Sequence, residues 1–269
     1  MIRRPIPIWL MYTLGVTGIV VVLAIYTALS IRQTRINPDQ NIFPGIQAFG
    51  EGLGEITKIR GGESNPKPSW LSVDVRATYW RLFLGLSAGV ILSVLVGILM
   101  GSYTVVEALF NPLITLFAKI PPTAMLAVYM VVFGIHLKMY VAMIAFGVFF
   151  TMAQAIYQAV KKDVASDHID KAYTLGASEF EVILEVIWKQ VLPRVLENLR
   201  LQIGPAMVFL IAAEWSFAGE GMGYTIKQQS KLQNMHVVYI YLTILGFSGL
   251  FFDWLLVQTR RRLCPWFGE

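Results

Sequence analysis

A serine between two glycines is the first candidate for chemistry in this sequence. Residues 85–89, GLSAG, fit the G-x-S-x-G pattern that surrounds the nucleophilic serine of many hydrolases. That reaction needs a sharp strand-to-helix turn and a histidine that accepts the hydroxyl proton. His136, His168 and His236 all lie at the ends of predicted apolar segments or in loops. We therefore interpret the motif as part of a helix-packing pattern that includes Gly85 and Gly89, and predict no catalytic residue.

Signatures of bound cofactors are also missing from the sequence. The single cysteine, Cys264, excludes an internal disulfide and a multi-cysteine metal site, and its place beside a basic tail is typical of a reducing, cytoplasmic setting. No G-x-x-x-x-G-K-[ST] motif is present, so energy from a nucleotide would have to come from another chain. We predict no metal and no cofactor in this chain.

The composition is that of an integral membrane protein. Of the 269 residues, 56% are hydrophobic and only 14% are charged, which is unusual for a soluble domain. The net charge of +5 does not indicate nucleic-acid binding, because lysines and arginines fall at the ends of apolar segments and in loops, without a basic stripe interleaved with exposed aromatics. The expected partner of this surface is the lipid membrane.

Six apolar segments are long enough to cross a bilayer, which needs roughly 20 residues. The first is too long for a signal peptide, so we interpret it as an uncleaved span. Clusters such as Lys161-Lys162 mark cytoplasmic ends and place both termini inside, with 31–75 as an external loop. The prediction is an all-α fold of six transmembrane helices, at approximately 8–29, 79–100, 105–135, 139–160, 195–215 and 237–257.

The second span carries small residues at every fourth position. Such a ridge lets another membrane helix approach closely, where hydrophobicity alone gives no preference for helix contact. The predicted helix-packing residues are Gly85, Gly89, Ser93, Gly97 and Gly101.

The third span is interrupted by prolines. Pro121 and Pro122 follow Lys119, and the backbone groups that such a break frees must be satisfied by protein or by water. Breaks of this kind often border cavities, although a simple kink beside a turn would explain the residues equally well.

Two acidic residues lie in later spans. Glu214 is near the outer end of the fifth span, where an ionisable group is costly and by default functional. The alternative is an interfacial carboxylate that is already in water. Asp253 is one to two turns from Arg260, Arg261 and Arg262, so we expect an ion pair with these arginines.

A polar segment at 163–205 separates the fourth and fifth spans. Gly176 is a good helix-ending residue, and Ser178 with Glu181 forms a capping box that starts another helix, so two short helices with a sharp bend are expected. A solvated connector without a partner is the alternative. Apolar residues at three- and four-residue steps predict one apolar stripe, formed by Ile169, Ala172, Tyr173, Gly176, Phe180, Ile183, Leu184, Ile187 and Val191.

This segment resembles the Glu-Ala-Ala loop of permease subunits of binding-protein-dependent ABC importers. The similarity lies in Asp170-Lys171-Ala172, in 174–178 (TLGAS) and in Leu192-Pro193, with aspartate in place of the usual glutamate. Residues 43–49, 119–122 and 219–226 are similar to other parts of the family, and the closest branch imports nitrate, taurine, alkanesulfonates and bicarbonate. The resemblance extends from Phe43 to Trp266.

The resemblance implies a type I ABC-importer fold as a single permease domain over 1–269, in the bacterial inner membrane. It implies a homodimer, or a dimer with a related permease, two cytoplasmic ATPase subunits that carry ATP and magnesium, and an extracytoplasmic solute-binding protein. The expected function is import of a small solute, with an anion as our prediction; an ion-coupled carrier or a membrane-embedded enzyme is the alternative.

The resemblance also implies roles for individual residues. Residues 163–192 would form the cytoplasmic coupling loop, whose expected ATPase-contacting residues are Asp170, Lys171, Ala172, Gly176, Ser178 and Glu179. The candidates for the translocation path are Lys119, Pro121, Pro122 and Glu214.

Overall fold

The computed structural model describes residues 7–36, 42–58 and 68–267. Within these residues the secondary structure is helical, without strands. The helices are α1 (Ile8–Ile36), α2 (Ile46–Thr57), α3 (Trp70–Ser102), α4 (Thr104–Phe117), α5 (Leu126–Phe133, after the 3-10 turn Pro122–Met125), α6 (Leu137–Asp163), α7 (Ser166–Thr174), α8 (Glu179–Phe217), α9 (Met222–Lys231) and α10 (Met235–Leu263).

Five of these helices, α1, α3, α6, α8 and α10, are long and apolar enough to cross a membrane. The pair Thr104–Phe117 and Pro122–Phe133 passes the same test together, with a bend of 82° between its halves. The predicted all-α membrane fold is therefore confirmed, with five candidate spans, or the predicted six if the bent pair counts as one.

One compact unit contains Met1–Leu71 and Ile226–Thr243. In it, the Tyr26 hydroxyl donates to the Pro44 carbonyl at 3.0 Å, and the Tyr26 ring meets Phe43 and Tyr239 edge-on. Gly52 of α2 lies so close to His236 that an added Cβ would be 2.8 Å from its ring. Aromatic contacts and one close helix approach thus hold this unit together.

The other unit contains Ser72–Thr225 and Ile244–Glu269, and α6 lies at its centre. This helix packs along α8 and also contacts α4 and α5. Its buried side chains belong to the main hydrophobic core and include Met143, Ile144, Val148, Met152 and Ile156.

The small-residue ridge of α3 faces α6. A Cβ added to Gly85 would be 2.6 Å from the Cβ of Ile144, and one added to Gly97 would be 2.8 Å from that of Ile156. An added Cβ would be 3.1 Å from the nearest α6 atom at Gly89 and 2.4 Å at Gly101. The Ser93 hydroxyl donates to the carbonyls of Gly89 and Phe149. Close approach of two backbones is the physical reason for small side chains here.

Several predicted boundaries were wrong. Of the predicted external loop, the part up to Ile36 belongs to α1, Ile46–Thr57 forms α2, and α3 begins at Trp70. Most of the insert at 58–70, namely 59–67, lies outside the described residues.

The fifth span begins at Glu179 instead of 195, so the second helix of the polar segment is not short. A π-helical stretch at Val182–Trp188 precedes Pro193 and the chain continues in helical form through it. A π turn is a common way to absorb an irregularity inside a helix without ending it.

Candidate functional site

The turn between α7 and α8, residues 173–181, is the most exposed apolar feature of the polar segment, and we call it the elbow. The amide of Ala177 donates to the Ala172 carbonyl at 3.0 Å, and that of Gly176 donates to the Tyr173 carbonyl at 2.9 Å. These two bonds form a Schellman motif, whose middle residue adopts a left-handed conformation. Gly176 has φ of +88°, and a Cβ there would meet nothing within 4 Å. Backbone conformation, and not space, requires glycine.

The start of α8 is fixed by the capping box that the sequence predicts. The Ser178 side chain accepts from the Glu181 amide at 3.4 Å, and the Glu181 carboxylate accepts from the Ser178 amide at 2.8 Å. Two otherwise unsatisfied amides at the helix start are therefore bonded. The bend between α7 and α8 is thus set by local bonds, independently of any partner.

The predicted single apolar stripe is divided in two. Residues on the inner face, Ile169, Ala172, Ile183, Ile187 and Val191, pack into the hydrophobic core. Of the other predicted members, Phe180 is 69% exposed, Tyr173 47% and Leu184 42%. Leu175, which the predicted stripe did not include, is 88% exposed. Tyr173 and Leu175 lie at the end of α7 and Phe180 lies in the first turn of α8, so these exposed side chains flank the turn at Gly176. The elbow therefore presents an unsatisfied apolar surface.

The polar candidates for ATPase contact lie around this surface. Asp170, Lys171, Ser178 and Glu179 are exposed, and Ala172 is half-buried on the inner face. Among these four polar candidates, and within the described residues, only Glu179 has a side-chain hydrogen bond to a distant part of the chain. Its carboxylate accepts from the Tyr103 hydroxyl at 3.1 Å. These residues can contact a partner without rearrangement of the elbow.

The bend between α4 and α5 borders a cavity of about 330 Å³. Lys119, Pro121 and Pro122 line it together with Phe146 and Phe150. Within the described part of the chain, no carboxylate forms an ion pair with Lys119, whose side chain is exposed. The bend therefore places the Lys119 ammonium group at the edge of a cavity, where it can attract a negatively charged group.

Glu214 lies in a buried polar cluster formed with Asp74, Thr78 and Arg81 of α3. Its side chain is 0% exposed and its Oε1 is 2.7 Å from Arg81 Nη1. The Thr78 hydroxyl lies 2.9 Å from Oε2, and the Gly223 amide donates to the same oxygen at 3.0 Å. The alternative interpretation of Glu214 as an interfacial carboxylate in water was therefore wrong, since its side chain is fully buried.

The same cluster fixes the glycine-rich turn that follows α8. Asp74 accepts from the Gly221 amide at 2.9 Å and from the Thr225 hydroxyl at 2.6 Å, and Thr78 accepts from the Met222 amide at 2.8 Å. Gly221 has φ of +115°. The cluster thus satisfies the first amides of α9, and burial of these polar groups is offset by hydrogen bonds at nearly every atom.

Sequence reasoning missed the partners of Glu214. A signal was present, since Asp74, Thr78 and Arg81 are spaced i, i+4 and i+7 and so share one face of α3. The partner of Asp253 was also predicted wrongly, because its carboxylate pairs with Arg200 of α8. Arg260, one of the expected partners, pairs with Glu197 instead.

Comparisons with known proteins agree with this fold. The sequence pattern of binding-protein-dependent transport system inner membrane components matches residues 89–263. A probable ABC transporter permease protein of Brucella melitensis biotype 1 is 32% identical over 72% of this chain and 78% of its own length. The taurine transport system permease protein TauC of Escherichia coli K12 is 31% identical over 72% of this chain and 70% of its own length. An inward-facing structure of the MetNI methionine ABC transporter aligns with a TM-score of 0.61 at 16% identity, over 71% of this chain and 94% of the MetNI chain. This similarity is one of fold.

The chain therefore belongs to the family of binding-protein-dependent transport system inner membrane components. It is the multi-pass permease subunit of an ABC importer, a transport component and not an enzyme. Membership in this family implies, in general terms, ATPase partners and a solute-binding protein.

Proposed function

We propose that this chain forms half of a solute pathway that opens alternately to the two sides of the bacterial inner membrane. A second copy, or a related permease, supplies the other half of the pathway. Each of the two chains forms one permease domain. Two ATPase subunits bind the two elbows on the cytoplasmic side and carry ATP and magnesium, while an extracytoplasmic protein delivers the solute. ATPase closure moves the elbows together and hydrolysis resets them.

The observation that carries this proposal is the exposed apolar surface of the elbow. Leu175, Phe180 and Tyr173 project from a turn whose shape is fixed by its own hydrogen bonds. Full burial of a leucine or phenylalanine side chain contributes about 1.5–3 kcal/mol. A preformed turn also binds without an ordering cost. The lysines at the end of α6, Lys161 and Lys162, favour the cytoplasmic side for this surface by the positive-inside rule.

A pull-down with a matched pair of variants tests the proposal. The chain is isolated in mild detergent from its native membrane, and accompanying proteins are quantified by mass spectrometry. We expect a stoichiometric ATPase with a Walker motif. Leu175→Asp should lower its recovery at least about tenfold, because a buried charge without a partner is costly, whereas Leu175→Met keeps an apolar side chain and should retain it. Equal recovery with both variants would exclude the elbow as the docking surface.

The solute is proposed to be a small anion. Lys119 supports a negative charge on the solute, because it borders the cavity at the bend and has no ion-pair partner within the described residues. Arg81, Lys161 and Arg200, in contrast, are all paired with carboxylates. The relative named for taurine transport handles a sulfonate, which is consistent with an anionic group on the solute.

Uptake assays test the anion proposal. Membrane vesicles with the complete transporter and its binding protein are tested with labelled nitrate, taurine, bicarbonate and an alkanesulfonate. We expect Lys119→Gln to reduce transport of the accepted solute strongly, with solute affinity of the isolated binding protein unchanged, and Lys119→Arg to retain a substantial part. Transport of a neutral or cationic solute that is indifferent to Lys119→Gln would contradict the proposal.

A further inference from the structure

One hydrogen bond joins the elbow to the corner between two spans. The Tyr103 hydroxyl donates to Glu179 Oε2 at 3.1 Å, and Tyr103 lies directly between the last residue of α3 and the first of α4. Glu179 is the first residue of α8. The hydrogen bond to this carboxylate raises the pKa of the Tyr103 hydroxyl above its ordinary value, which is already well above neutral pH, so the tyrosine is the donor and the carboxylate the acceptor.

The space around this bond is a cavity of about 360 Å³. Gly101 and Ser102 line one side, and Ile169 and Tyr173 of the polar segment line the other. The two sides are therefore not packed densely against each other at this place. Where side chains interdigitate, many small contacts transmit the displacement of one helix to its neighbour. Across a cavity there are fewer such contacts, so a single hydrogen bond transmits a larger fraction of that displacement.

The Tyr103 side of the bond leads to the bend in the third span. Glu107, one turn into α4, accepts from the Tyr157 hydroxyl and pairs with Lys161 at 2.9 Å, so α4 is attached to α6 at that level. Beyond this attachment α4 continues to Phe117, beside the cavity that Lys119 borders. A displacement applied at Tyr103 acts on one end of a helix whose other end forms the proposed solute pathway.

The Glu179 side of the bond is able to move with the elbow. The π-helical stretch Val182–Trp188 begins three residues after Glu179 and separates the first turn of α8 from its long α-helical part. Such stretches often mark functional positions in helices, because their hydrogen bonds can change register. The first turn of α8 is thus joined to the rest of the helix through its most adaptable part.

We infer that Tyr103 and Glu179 are coupling residues whose hydrogen bond passes displacement of the elbow to α4 and, through it, to the bend at 118–122. This inference rests on the proposed function, because it requires an ATPase on the elbow. Both are positioning residues: they touch no solute, and they act on the pathway through α4.

A labelling experiment on the purified complex with its ATPase tests the inference without a known solute. Cys264 is replaced by serine and Ala118, which lines the cavity at the bend, by cysteine. The rate of maleimide labelling at position 118 is measured with and without a non-hydrolysable ATP analogue. We expect the analogue to change this rate in the parent protein, and Tyr103→Phe to reduce the change about fivefold, as loss of one hydrogen bond allows. ATPase activity and complex yield should stay at the parent level.

Two further variants separate coupling from a general loss of structure. Tyr157→Phe also removes one hydroxyl that is bonded to a carboxylate, but it leaves the Tyr103 bond intact and Lys161 still pairs with Glu107, so the nucleotide-dependent change should persist. Glu179→Ala combined with Tyr103→Phe, compared with Glu179→Ala alone at equal ATPase content of the two complexes, should give the same nucleotide-dependent change, because the two residues act through one bond. A Tyr103→Phe protein whose nucleotide response matches the parent would overturn the coupling role alone. An isolated chain without an ATPase, or a parent without any nucleotide response, would overturn the proposed function and the inference with it.

Discussion

Arg81 Nη1 and Glu214 Oε1 lie 2.7 Å apart, in a contact that joins α3 to the end of α8 across 133 residues of sequence. The carboxylate is fully buried, and the guanidinium carbon also lies 4.5 Å from the centre of the Tyr140 ring. Arg81 donates in addition to the Glu220 carbonyl at 2.9 Å. The pair therefore fixes both the helix end and the turn that follows it.

Breaking this pair should destabilise the protein strongly. Arg81→Met leaves the Glu214 carboxylate buried without its cation, at an expected cost of about 3–5 kcal/mol. Thermal unfolding of the detergent-solubilised transporter measures the loss. The control is Arg200→Met, because the Arg200–Asp253 pair is nearly half-exposed and its loss should cost less than about 1 kcal/mol. Similar losses in both variants would contradict a special role for the buried pair. Arg81→Met with Glu214→Leu should recover part of the loss.

A side chain at Gly176 should strain the elbow. Gly176→Ala forces a β-carbon into a left-handed conformation, at about 1–2 kcal/mol, although there is open space around it. Transport per ATP hydrolysed in reconstituted vesicles should fall, and Gly176→Pro should abolish it without preventing membrane insertion. Gly204→Ala is the matched control, since Gly204 lies in the helix interior with open space and alanine is favoured there by up to about 1 kcal/mol. Full coupling in Gly176→Pro would rule out the elbow as the transmitting element.

Bulk on the α3 ridge should separate α3 from α6. Gly97→Leu places three further carbons where even a Cβ would be 2.8 Å from Ile156, and overpacking of this kind costs about 1–3 kcal/mol or more. A fall in the yield of folded protein on size-exclusion chromatography measures the effect. Gly246→Leu, at a position with open space, should leave the elution profile unchanged. A folded, stable Gly97→Leu protein would show that α3 and α6 are not in close contact.

The single thiol should be slow to react. Cys264 is 2% exposed, and burial raises the pKa of its thiol even though Arg260 acts in the opposite direction. Because the thiolate is the reactive form, the rate of maleimide labelling should be low at neutral pH and rise with pH well beyond the range in which an exposed cysteine levels off. Labelling in denaturing detergent provides the control and should be fast. Rapid labelling of the folded protein at neutral pH would contradict burial of this residue.

Local features of the elbow were predictable from sequence because they are decided within a few residues. Gly176 and the pair of Ser178 and Glu181 produce the turn and the capping box through bonds that span at most five positions. The division of the apolar stripe was not predicted, because helical periodicity assumes one continuous helix and the reversal at Gly176 changes the direction in which later side chains point. Periodicity therefore located Tyr173 and Phe180, but it missed Leu175 and did not separate the buried members of the stripe from the exposed ones.

Long-range contacts were harder to predict. Pro193 suggested a helix end, but the helix continues through Pro193 after a π-helical stretch at Val182–Trp188, and no simple residue pattern specifies such a stretch. For Asp253, proximity in sequence favoured Arg260, whereas packing of α8 beside α10 places Arg200 nearer. Glu214 was singled out from sequence as an ionisable residue in a span, but its contacts are with α3 residues more than 130 positions away.

Site-specific photo-cross-linking from the elbow tests the central claim most directly. A photoreactive amino acid is introduced at Leu175, the most exposed side chain of the elbow, and separately at Leu232, an exposed residue between α9 and α10 that the proposed orientation places on the external side. Irradiation of intact membranes should cross-link position 175, and not position 232, to a Walker-containing ATPase. A cross-link of the ATPase to position 232, or none to position 175 while the ATPase still co-purifies with the chain, would contradict docking of the ATPase at the elbow.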